Sequence, residues 1–306
     1  MDERFAEVGN GITLCYETFG DPSCPPIVLV MGLGTQMVAW DTRFCESLAS
    51  RGFFVVRFDN RDTGRSTRLD GAPVPKLHEI ALRRIARPAY KLADMALDTV
   101  GLMDVLGLER AHVVGVSMGG MIAQTVAARH PSRTRSLVSI MSNTGARFSG
   151  QPALKTYPVL LGSAPAGDRD AFIEHGTRTW GIIGSPDFER DELELREMIG
   201  LSFDRGASPA GTARQLGAII ASGDRRRELR GVQAPTLVIH GEADKLVSPS
   251  GGRATAKAID GARLITIPGM GHDLPRAAWP QIIGAISEHA HTADVATGDR
   301  PAVRAA

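Results

Sequence analysis

His112-Val113-Val114-Gly115-Val116-Ser117-Met118-Gly119-Gly120 is the stretch that decides the fold. Its first five residues, three of them valine, read as a buried strand. From Met118 to His130 apolar residues recur at helical spacing until Pro131 stops them. A strand, a tight turn on a serine and a helix therefore follow one another without a linker. Outward from this unit the same alternation repeats. Upstream lie the apolar strand Pro26–Met31, a helix carrying Trp40, Phe44 and Leu48 that ends at Gly52, and the strand Phe53–Phe58. A helix marked by Leu92, Met95, Thr99, Met103 and Leu106 then stops at Gly107, and the strand Arg135–Met141 follows the central unit. Gly11–Thr18 alternates and is expected to be an antiparallel edge strand. Strands alternating with helices in this way specify a mostly parallel sheet covered on both faces.

The pattern breaks between Gly145 and Arg230, where helical stretches and scattered Gly and Pro replace buried strands. It resumes at Pro235–His240 and Arg263–Ile267, and a last helix is expected over Trp279–His289. The domain organisation expected is a core of residues 1–144 and 231–290, a helical insertion of residues 145–230, and a mobile tail of residues 291–306. The chain of 306 residues is 43% hydrophobic and 23% charged, enough to bury a large core. Its net charge of +1 gives no reason to expect nucleic acid as a partner. Arg83–Arg84 and Arg225–Arg226–Arg227 read as solvated helix faces, and Asp94 and Asp98 as surface positions of their helix. No stretch reaches the roughly 18 apolar residues of a membrane span. Met1-Asp2-Glu3-Arg4 is charged and no apolar segment follows, so a cytoplasmic location is expected. Cys15, Cys24 and Cys45 are odd in number and unpaired in spacing, which reads as free thiols. No His/Cys/Asp/Glu cluster has ligand spacing, so no metal and no cofactor are expected.

Gly115-x-Ser117-x-Gly119 between a strand and a helix is the context of a nucleophile elbow. Small flanking residues allow the turn to be sharp, and the turn aims the first helix N–H groups at the serine oxygen. A serine hydroxyl needs a base, and the base needs an orienting acid. His272 lies in Gly269-Met270-Gly271-His272-Asp273, a glycine-framed loop after a strand and late in the chain, and is the expected base. Asp244, just past Pro235–His240, is the expected acid, with Glu242 and Asp273 as rivals. The oxyanion hole should use the N–H of Met118 and that of Leu33, in a loop where Gly32 and Gly34 permit close approach.

These pieces, together with Val30–Gly34, Arg57–Ser66 and Gly241–Asp244, resemble the serine-type α/β-hydrolases. The nearest pattern is that of carboxylesterases such as the aclacinomycin-methylesterase-like and other actinobacterial esterases. The resemblance implies an α/β-hydrolase fold: a mostly parallel eight-stranded sheet flanked by helices, with a helical cap inserted after the sixth strand. It implies a carboxylic ester hydrolase with Ser117, His272 and Asp244 as its triad, acting through an acyl-enzyme on a small to medium apolar ester. Trp180, Leu160 and Ile183, with Leu161 and Ile182, are expected in a pocket beneath the cap. Asp59–Ser66, on its own residues a charged glycine turn, is expected to form a network under the site. In this chain Met31 stands where many relatives have histidine, which leaves backbone donation intact but alters what anchors the loop. Lactonase, methylesterase and C–C hydrolase activities use the same triad and stay open. So does a different class, a ligand-binding receptor on the same fold, and so does a homodimer.

Overall fold

The computed structural model describes residues 2–156, 162 and 167–297. Eight strands form one sheet in the order β1-β2-β4-β3-β5-β6-β7-β8. They are β1 Arg4–Gly9, β2 Ile12–Phe19, β3 Pro26–Val30, β4 Phe54–Phe58, β5 Ala111–Val116, β6 Thr134–Ile140, β7 Thr236–Gly241 and β8 Arg263–Ile267. β2 runs antiparallel to both β1 and β4, and the strands from β4 to β8 are mutually parallel. The edge is therefore β1, and β2 lies one place inside it. Only Ala6 of β1 is fully buried, so its six residues carry too little alternation to stand out in the sequence.

The helices are α1 Thr42–Ala49, α2 Leu77–Ala81, α3 Leu92–Val105, α4 Met118–Arg129, α5 Arg169–Ile183, α6 Glu192–Asp204, α7 Pro209–Ser222, α8 Arg226–Leu229, α9 Ser250–Ala258 and α10 Trp279–Thr297. Alternate residues of each central strand serve opposite faces. Val28, Val30, Val113 and Leu137 pack with α3 and α4, whereas Ile27, Leu29, Val114 and Val138 pack with α1 and α10. Burial on both faces is why Pro26–Val30 is uniformly apolar. α5 to α8 stand between β6 and β7 in the chain.

Besides the edge strand, which is β1 and not Gly11–Thr18, three expectations need correction. The last helix continues to Thr297 and does not give way to a tail at residue 291. Ala290 and Ala293 are buried, and Asp294 bonds Arg135 at 2.9 Å and lies 3.2 Å from His112, so tertiary partners extend the helix. Asp98 is buried, where its carboxylate forks onto Arg61 Nε and Nη2 at 2.5 Å each. Arg225 is also buried, donating to Gln124 Oε1 at 3.1 Å and to the Asn143 carbonyl at 2.7 Å. Arg83 and Arg84 are exposed as expected.

The sheet order places the site. From β3 the chain moves outward to β4, whereas β5 lies on the opposite side of β3. Loops leaving the carboxyl ends of β3 and β5 diverge there and leave a crevice.

Candidate active site

Ser117 caps α4 with φ 55° and ψ −120°, a left-handed backbone that a non-glycine residue holds only under constraint. The glycines around it are required by contact. A Cβ on Gly115 would lie 2.1 Å from the Gly119 carbonyl oxygen, and one on Gly119 would lie 2.0 Å from the Val30 carbonyl oxygen. The turn thus presses helix α4 directly against the end of β3. Gly119→Ala is expected to force the two apart, costing about 1–3 kcal/mol or more. A melting temperature several degrees below wild type checks this, and an unchanged one contradicts it.

His272 meets Ser117 from the loop after β8. Its Nε2 is 2.9 Å from Ser117 Oγ and its Nδ1 is 2.7 Å from Asp244 Oδ2. A carboxylate can only accept, so Nδ1 carries the proton and Nε2 is free to accept from the serine hydroxyl. Asp244 Oδ1 accepts from the Leu246 and Val247 N–H groups, both at 2.9 Å. Burial disfavours the Asp244 charge. The neighbouring His272 and hydrogen bonds from His240 and His272 outweigh it, and the carboxyl is held down at about 2. Glu242 accepts instead from Thr266 Oγ1 at 2.8 Å on the exposed side, and Asp273 accepts from Ser185 Oγ. Neither rival carboxylate bonds the imidazole.

Leu33 follows Gly32, which lies against the serine. A Cβ on Gly32 would sit 3.3 Å from Ser117 Cβ and 3.8 Å from Oγ. Among the described residues, the N–H groups of Leu33 and Met118 have no protein acceptor. Two donors are thus left free beside one hydroxyl. Around them opens a cavity of about 2010 Å³. Its walls include Met118, Met121 and Met141 from the core side, and Phe172, Trp180 and Ile183 from α5. Trp180 and Ile183 thus line the cavity, and Ile182 is not among the lining residues. Leu160 and Leu161 lie outside the described residues.

Several supporting residues were not singled out in the sequence. His240 donates from Nε2 to the Val247 carbonyl at 2.8 Å and closes the loop that carries Asp244. Ile183 accepts from the His272 N–H at 2.8 Å, and Ser185 Oγ accepts from the Gly271 N–H at 2.8 Å. The Asp59–Ser66 turn is the network expected. Asp59 accepts from the Met37 N–H at 2.7 Å and pairs with Arg205. Asp62 forks onto Arg214 at 2.7 and 2.9 Å and accepts from Tyr90 Oη at 2.7 Å. Asn60 Nδ2 donates to the Met31 carbonyl at 2.9 Å, an anchor independent of the Met31 side chain. No signal local to the sequence marks these contacts, because each partner comes from a distant element.

No group of three or more His, Cys, Asp or Glu side chains among the described residues could hold a metal ion, and no helix among them is long and apolar enough to cross a membrane. Residues 25–275 match the family described as the alpha/beta hydrolase fold. The chain is 31% identical to rhodomycin D methylesterase DauP of Streptomyces sp. strain C5, covering 93% of this chain and 97% of the relative. It is 30% identical to rhodomycin D methylesterase DnrP of Streptomyces peucetius, with the same coverage. Among solved structures it is similar to the enol-lactonase of Burkholderia xenovorans LB400, with a TM-score of 0.72 and 26% identity over 94% of this chain and 99% of that one.

Proposed function

Because the chain belongs to the alpha/beta hydrolase fold family, we propose that it is a serine-type carboxylic ester hydrolase that works through an acyl-enzyme without metal or cofactor. The observation that carries this reading is the continuous relay from Ser117 Oγ through His272 to Asp244, at 2.9 and 2.7 Å, beside two free backbone donors. Ser117 attacks the ester carbonyl as Nε2 of His272 takes its proton. The tetrahedral oxyanion is received by the Leu33 and Met118 N–H groups. The imidazolium, steadied by Asp244, then protonates the leaving alcohol. Water repeats the sequence on the acyl-enzyme and releases the acid.

The helical segment between β6 and β7 acts in this reading as a cap, since α5 supplies Phe172, Trp180 and Ile183 to the cavity. The side chains at the serine end of the cavity are apolar, Met118, Met121, Trp180 and Ile183 among them, which suits an ester with an apolar acyl part. Similarity to two methylesterases along nearly the whole chain favours a methyl ester of such an acid. The test is hydrolysis of a polycyclic aromatic methyl ester, a p-nitrophenyl butyrate and an enol-lactone by one preparation. The methyl ester should have the highest kcat/KM. A lactone preferred by tenfold or more would replace the methylesterase reading, and no turnover of any ester would overturn the hydrolase reading.

The pH profile follows from the relay. Asp244, held at about 2, remains a carboxylate throughout the working range. A histidine base cannot accept the serine proton once it is an imidazolium. Activity should fall along a single-proton limb as pH decreases. Full kcat/KM retained down to pH 4 would contradict a histidine base.

A further inference from the structure

We propose that Gln215, contributed by α7 of the helical insertion, is a positioning residue for the oxyanion hole: it fixes the loop that presents the Leu33 N–H. This rests on the reading of Leu33 as an oxyanion donor. Gln215 is fully buried, and both ends of its amide are used. Its Oε1 accepts from the Gly34 N–H at 2.8 Å. Its Nε2 donates to the Arg61 carbonyl at 2.8 Å and to Thr63 Oγ1 at 2.6 Å. The orientation of the amide follows from its partners, because a peptide N–H can only donate and a peptide carbonyl can only accept.

This one side chain therefore ties the loop after β3 to the turn after β4. The turn is itself held by the preceding residue of α7, since Arg214 forks onto Asp62 at 2.7 and 2.9 Å. One turn earlier Thr212 fills the space beside Gly34, where a Cβ would meet Thr212 Oγ1 at 2.7 Å. Gly34 has φ +63°, so its peptide takes a direction that an L-residue resists, and the bond to Gln215 is what accepts its N–H there. Fixing the Leu33–Gly34 peptide limits rotation about the Leu33 backbone, whose own N–H lies just ahead of it. In this chain Met31 supplies no polar side chain at the start of the loop. Asn60 holds the loop at Met31 and Gln215 holds it at Gly34, on either side of Leu33. A helix of the insertion is thus built into the machinery that receives developing charge, 181 residues away in sequence.

The consequence is confined to the transition state. An oxyanion donor displaced by a fraction of an ångström weakens binding of the tetrahedral intermediate more than binding of the ester. In Gln215→Met, which keeps side-chain length and removes acceptor and donors, kcat should fall on the order of 10–100-fold. KM should change little, and the acid limb of the pH profile should stay in place because the His272–Asp244 pair is untouched. The affinity for a boronic acid, which forms a tetrahedral adduct on Ser117, should weaken by about the same factor as kcat. Gln215→Glu keeps an oxygen for Gly34 but turns a second acceptor toward the Arg61 carbonyl, where Nε2 donates, so its loss should be at least as large. Both full-length variants are first titrated to completion with an active-site phosphonate, and rates are expressed per labelled serine. Wild-type kcat and boronate affinity per labelled site in Gln215→Met would show a merely structural glutamine. Failure of the phosphonate to label Ser117 in the wild-type protein would instead overturn the functional reading on which it rests.

Discussion

Ser117→Ala should leave a folded protein whose ester turnover is lower by about 10⁵–10⁶-fold, as when the nucleophile of a serine triad is removed. The hydroxyl fills no core space; it faces the cavity and bonds His272 Nε2. The strained backbone of residue 117 is imposed by the packing of Gly115 and Gly119 against neighbouring carbonyls, and that packing does not depend on the hydroxyl. Circular dichroism and melting temperature should therefore match wild type. The small residual rate would come from the free donors and from substrate binding. Kinetics of a soluble ester, with protein concentration fixed by absorbance, measure the loss. An active Ser117→Ala variant would remove the nucleophile from the account.

The second large effect is expected at Asp244. Asp244→Asn keeps the size of the side chain but can present an amide N–H to His272 Nδ1. The imidazole would then favour the tautomer with its proton on Nε2, which cannot take the proton of Ser117. A loss on the order of 10³–10⁴-fold in kcat is expected. The amide oxygen can still accept from the Leu246 and Val247 N–H groups, which turns the amide nitrogen toward His272 and keeps the acid loop in place. Glu242→Gln should cost far less, since that carboxylate bonds only Thr266. The two variants measured side by side, with the fold checked by circular dichroism, separate the candidates. A dead Glu242→Gln beside a nearly normal Asp244→Asn would reverse the assignment.

What could be read from the chain and what could not divide along one physical line. The buried strands, the elbow and the glycine-framed His272 are local patterns. Sheet burial writes itself as apolar runs, and a turn too tight for a Cβ writes itself as glycine. Asp244 was the expected acid because it follows a strand closely, and the fold turns it to His272 while Glu242 turns to Thr266. Contacts between distant residues left no such trace. Asp98 looks like a surface residue until Arg61 is placed against it, 37 positions away. Asp294 and His112 are 182 residues apart, and their contact keeps the last helix ordered beyond residue 290. Gln215 reads as one polar residue in an amphipathic helix, and only the fold sets it against Gly34. β1 escaped notice for the opposite reason, since an exposed edge strand buries too little to shape its sequence.

If the proposed mechanism holds, Ser117 becomes covalently acylated during turnover. A fluorophosphonate incubated with the protein, followed by digestion and peptide mass spectrometry, tests it most directly. One adduct per chain is expected, on the peptide containing Ser117, formed in step with loss of esterase activity and absent from Ser117→Ala. Labelling at another serine, or full esterase activity in protein fully labelled at Ser117, would contradict it.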